Sequence, residues 1–167
     1  MILPAVRDPR LVTVRRGGTL IDADHHLLAL WAADCAEHVL DLFERERPDD
    51  PRPRQAVEAV GAWTRGSLPM MQCRALGGHA MGAARPLRGA ARFAAYAAGQ
   101  AACVAHVAEH DLGAAAYAIK AVAADAGVAA GRAERERQRD RLPAAVRALV
   151  LEDQEQRDAI CWGVFGR

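Results

Sequence analysis

Lysine is nearly absent from this 167-residue chain: of 22 basic residues only Lys120 is lysine, and 21 acidic residues bring the net charge to +1. Strong nucleic-acid binders carry a net basic surface, so no nucleic-acid partner is expected. Aromatic residues make up only 5%, which leaves aliphatic side chains to build the core. No apolar run approaches the roughly 20 residues that span a bilayer, and no membrane association is expected. The first residues, MILPAVRDPR, lack the apolar stretch of a secretory leader. The four cysteines, Cys35, Cys73, Cys103 and Cys161, form no CxxC pair. Each sits among apolar residues and reads as a small buried hydrophobe in a reducing compartment. These features lead to the expectation of a cytoplasmic protein. The GxSxG, P-loop and GxGxxG strings are also missing, and with them familiar hydrolase and nucleotide-binding signatures.

What fills the chain instead is alanine. Of the 41 residues from Ala90 to Ala130, 20 are alanine. Alanine loses no side-chain entropy on entering a helix, and its small side chain lets helices approach closely. With about half its residues apolar and the length of one ordinary domain, the chain reads as a single unit over 1–167. Residues 1–18 read as an extended arm and 142–167 as a C-terminal docking helix.

The expected fold class is all-α, a bundle or short array of six to seven helices. Leu11–Val14 could be a short strand ended by Gly17 and Gly18. Thr19 and Asp22 offer N-cap oxygens for a first helix through about Glu46. Its buried face carries Leu27, Trp31, Cys35, Val39, Leu42 and Phe43 at three- and four-residue spacing. A second helix covers Arg54–Arg65 with Val57, Val60 and Trp63. A third begins near Pro69 and runs towards Ala84, although Gly77, Gly78 and Gly82 weaken its interior. A long helix from Leu87 to Glu109 follows, then one from about Leu112 to Ala126 capped by Asp111. Arg132–Arg141 alternates charge and reads as a solvated helix face or linker. Pro143 suits the first turn of a last helix, with Val146, Leu149, Val150, Ile160 and Trp162 docking inward. Trp31, Val39, Phe43, Val57, Trp63, Val104 and Ile119 are the expected core.

Chemistry could sit in a few places. His106-Val-Ala-Glu-His110 satisfies the HxxEH string of inverted zinc peptidases, in which histidines four apart on one helix share a metal. A third ligand is missing, so a packed His106 and a capping or solvent-facing His110 are expected instead. Asp34, His38 and His79 could widen a metal constellation between helices, but the Glu-x-x-His pairs of di-iron bundles are absent. Neither metal nor cofactor is expected. Arg85, Arg88 and Arg92 could form a basic helical stripe. Glu37, Asp41 and Glu44 form an acidic one, at i, i+4 and i+7, that could meet a basic partner. A small-molecule pocket between the alanine-rich helices would draw on Trp31, His38, Trp63, His79, Tyr96 and His106.

Several blocks carry a family resemblance. In the first half these are LWAADCAEHVL at 30–40, LFE at 42–44, PDD at 48–50, RPR at 52–54, AVEA at 56–59 and AW at 62–63. In the second half they are GHA at 78–80, AGQA at 98–101, AHVA at 105–108 and LGAAAYAIKA at 112–121. Together they resemble the Imm-5-like immunity proteins from about Thr19 to Ala124. The resemblance implies a non-catalytic bacterial protein that binds and neutralises a protein toxin. It assigns no binding residue, and Glu37, Asp41 and Glu44 are the expected contact surface. The other reading is a small-molecule-binding protein or an enzyme built on the pocket residues.

Overall fold

Alanine and two facing glycines bring the central helices together. The computed structural model describes residues 2–166, and among these eight α-helices form. They are α1 (Asp22–His38), α2 (Leu40–Glu44), α3 (Arg52–Thr64), α4 (Met70–Ala84), α5 (Gly89–Cys103), α6 (His110–Ala126), α7 (Val128–Asp140) and α8 (Ala144–Arg157). The fold is all-α, as expected. Helix α5 lies at its centre, packed most extensively against α6 and α4 and also touching α1, α2 and α3. Its Ala94, Ala95, Ala97, Ala98, Ala101 and Ala102 are all fully buried. Where α4 crosses α5, a Cβ on Gly77 would lie 2.7 Å from the Gly99 carbonyl oxygen. The glycines that weaken α4 by propensity are what let it approach α5.

Four boundaries depart from the sequence expectation. The first helix breaks at Val39 (φ −111°, ψ 3°), and the turn aims Leu40 and Phe43 into the core, both essentially unexposed. The long helix through Glu109 stops at Cys103. The freed carbonyls in the turn beyond it find distant donors: His25 Nε2–H donates to Val104 O at 2.7 Å, and Arg157 Nη1 donates to Glu109 O at 2.8 Å. The next helix starts at His110 with Asp111 inside its first turn and no side-chain cap. Thr19 and Asp22 do not cap α1 either, because Ile21 takes the N-cap position.

The charged stretch expected to be solvated folds as α7 and docks. Glu134 and Gln138 are buried, and Gln138 Nε2 donates to Glu134 Oε1 (2.9 Å) and Ala115 O (3.3 Å). The N-terminal arm is not extended throughout. It makes 3-10 turns at Pro9–Leu11 and Val14–Arg16, a single bridge pairs Thr13 with Leu20, and Ile2 and Leu11 are buried. At the other end Val146 and Val150 are buried, but Ile160 and Trp162 are 39% and 46% exposed. Trp162 adopts a left-handed conformation (φ 62°), and the turn sends Cys161 and Phe165 inward instead. Of the expected core, Trp31, Val39, Phe43, Val57, Val104 and Ile119 are buried. Trp63 is only half-buried and packs at the edge.

Candidate functional site

The acidic face straddles the break at Val39. Glu37 lies in the last turn of α1, whereas Asp41 and Glu44 lie on α2. Glu37 and Asp41 are exposed. Glu44 accepts from Arg54 Nε and Nη2 at 2.5 and 2.9 Å, and this pairing holds its carboxyl below the ordinary range. Arg54 also feels the charges of Glu37 and Glu58. Arg45 sits 3.5 Å from Asp41 and 3.8 Å from Asp125 at the end of α6. Five carboxylates thus gather around two guanidiniums, and the patch is acidic on balance.

The HxxEH string is taken apart by the turn between α5 and α6. His106 lies in that turn and His110 opens α6, so the four-residue spacing no longer puts both on one helix face. Glu109 between them is buried and accepts from Arg7 Nε and Nη2 at 2.7 and 2.6 Å. His110 Nδ1–H donates to Gln100 Oε1 at 2.7 Å, and burial pulls its pKa down to about 4. His106 Nδ1 accepts from Arg16 Nη2 at 3.4 Å. Partial burial, then the charges of Arg16, Arg74 and Arg7, push its pKa down as well.

The wider constellation does not assemble either. Asp34 accepts from Arg141 (2.7 Å to each oxygen) and from Arg137 (3.2 Å). His38 Nδ1 meets Glu134 Oε2 at 2.7 Å. His79 stands exposed on α4. Among the described residues no three His, Cys, Asp or Glu side chains converge as a metal-binding group. The basic stripe is also split: Arg85 follows α4 and Arg88 precedes α5. Arg92 lies over the Tyr96 ring, 5.4 Å from its centre.

Of the six residues expected to line a pocket, two meet in one. A cleft of about 530 Å³ opens between the turn before α1, the first turn of α1, the end of α3 and the turn after α5. Trp63 and His106 line it, with Arg15, Arg16, His25, His26 and Arg65. Trp63 meets His25 and His26 edge-on, ring centres 5.0 and 4.8 Å apart. His25 is almost fully buried, and the loss of water holds its pKa below the ordinary value. Trp31 is instead in the core, with its Nε1–H donating to Gln138 O at 2.9 Å. Tyr96 stacks on Tyr117 with ring centres 5.0 Å apart. His38 and His79 stand apart from the cleft, on the surface.

The family model described as "Imm-5 like putative immunity protein" matches residues 18–145. The chain belongs to this family. No curated protein and no solved structure matches it. The Imm-5 like match runs from just before α1 to the first turn of α8, and so includes the acidic patch and most of the cleft wall. The cleft residues His25, His26 and Arg65 carried little signal in the sequence. Adjacent residues on a helix point about 100° apart, so the DHH string at 24–26 does not read as one face. No described helix is long and apolar enough to cross a membrane.

Proposed function

We propose that this Imm-5 like protein works in the bacterial cytoplasm without chemistry of its own, by binding a protein toxin and blocking it. Family membership over residues 18–145 carries the reading. The acidic patch of Glu37, Asp41, Glu44, Glu58 and Asp125 supports a surface for it, offered to a basic region of the toxin. Complementary charge speeds encounter and excludes wrong partners, and the effect is largest at low salt. A patch partly neutralised by Arg45 and Arg54 also suits this role. The two guanidiniums hold the carboxylate side chains of Glu44 and Asp41 in place before the partner arrives, which lowers the ordering cost of binding.

The test is co-expression with a candidate toxin gene taken from the reading frames that flank this one. The expected result is rescued growth and a stable complex on gel filtration. The E37K/D41K pair should fold normally and associate about tenfold more slowly at low salt. Growth arrest despite co-expression, with no complex between the purified proteins, would overturn the immunity reading. An association rate unchanged in E37K/D41K would move the contact to another face.

A further inference from the structure

The cleft gathers cationic, imidazole and aromatic side chains in one concave space. Several surface guanidiniums close onto carboxylates, Arg10 on Asp8 and Glu152, Arg52 on Asp50, Arg54 on Glu44, Arg137 and Arg141 on Asp34, and are held by them. Within the cleft Arg15 and Asp22 offset each other at 2.6 Å. That leaves Arg16 and Arg65, neither with a carboxylate partner among the described residues. Among the described residues the Arg16 guanidinium hydrogen-bonds only to Nδ1 of His106, at 3.4 Å. Trp63, Met70 and Ala105 add apolar surface to the same lining.

We propose that this cleft binds a small molecule carrying a phosphate or carboxylate group. Arg16 and Arg65 grip the oxyanion with His106 beside them, and Trp63 covers the organic part. Guanidinium forks match oxyanions with two parallel donors, and such charge-assisted bonds are the strong ones. The cleft is open to solvent on one side, and its volume of about 530 Å³ falls in the range of small-ligand sites, about 300–1,000 Å³. A concave space of that kind suits a small ligand better than a flat protein contact. His25 acts as a positioning residue. Its bond to Val104 O fixes the turn that presents His106, and its ring edge fixes Trp63. The site lies at the opposite end of α1 from Glu37, so it is independent of the toxin-binding reading.

Titration calorimetry on the full chain tests this with inorganic phosphate, citrate and adenosine monophosphate, at ionic strength matched with sodium chloride. At least one probe should bind saturably with Kd at or below about 1 mM. Binding should weaken at least about fivefold in R16A/R65A, and in W63A for the nucleotide, because each loses a direct contact. E37K/D41K should bind as wild type does. Circular dichroism checks that each variant is folded, and R65K serves if R16A/R65A is not. Failure of all three probes to bind saturably by about 1 mM, or a loss below about fivefold in the folded arginine variant, would overturn the proposal.

Discussion

Trp31 shows how a single side chain answers for backbone that a helix leaves unpaired. The Gln138 carbonyl belongs to the last turn of α7, where four carbonyls have no intrahelical partner, and the Trp31 indole N–H meets it. Trp31→Ala should cost about 3–5 kcal/mol, the range for removing a large buried aromatic. Trp31→Phe keeps most of the ring and should still cost about 1–3 kcal/mol, because the carbonyl is left buried without a donor. Urea unfolding measures both, and a Trp31→Ala loss under about 1 kcal/mol would mean the ring adds little to the core. His110 adds a pH dependence. Its pKa in the fold is about 4 against an ordinary 6.5, so the unfolded chain takes up the proton first. The contribution of the neutral ring is complete above about pH 6.5 and is lost as pH falls towards 4. Asp111 is displaced upward by burial and acts in the opposite sense, so the wild-type curve alone mixes the two. His110→Gln removes only the histidine part. Its Tm should gain on wild type steadily between pH 6.5 and 4, and parallel curves would refute the assignment.

At the scale of elements, the crossing of α4 and α5 separates propensity from packing. Gly77 and Gly78 are neighbours on one helix. A Cβ on Gly77 would lie 2.7 Å from Gly99 O and 3.0 Å from Cys103 Sγ, while a Cβ on Gly78 meets nothing within 4 Å. Gly78→Ala should therefore stabilise by about 0.5–1 kcal/mol, the helix-propensity gain. Gly77→Ala should destabilise by about 1–3 kcal/mol through overpacking. Thermal melts of the two variants should move in opposite directions, and equal shifts would show that the crossing yields easily. The sequence could flag three weak glycines in α4, yet could not tell which one faces a backbone. Periodicity gave the existence and centre of α1, α3, α4, α6 and α8, because their apolar positions recur at helical spacing. It failed at the ends of α1 and α5. There the break is set by where Phe43 must pack and by which distant donors reach the carbonyls of Val104 and Glu109.

The whole molecule is tied together by Arg157. Its guanidinium is buried against Asp153, Asp111 (3.3 Å), Glu109 O (2.8 Å) and Ile2 O (3.3 Å). One side chain on α8 therefore joins the N-terminal arm to the start of α6. Arg157→Met should cost about 3–5 kcal/mol, the usual loss when a buried pair is broken and its carboxylates are left uncompensated. It should also expose the arm, which limited proteolysis at Arg7 and Arg10 would report. Unchanged cleavage there would mean the arm is held by Ile2 and Leu11 alone.

Composition and periodicity were enough to determine an all-α chain with an alanine-filled centre, because helix propensity and apolar spacing are local properties. The family was legible in contiguous blocks such as LWAADCAEHVL for the same reason. The fate of each polar residue was decided by the tertiary structure. The HxxEH string keeps its spacing in sequence, but a turn between α5 and α6 sends Glu109 to Arg7 and His110 to Gln100. The acidic stripe bends at Val39 and gains Glu58 and Asp125 from other helices. Trp63 and His106, 43 positions apart, meet His25, His26, Arg16 and Arg65 in one cleft. Which charges face one another depends on how helices cross, and that is fixed by packing between segments that are remote in the chain.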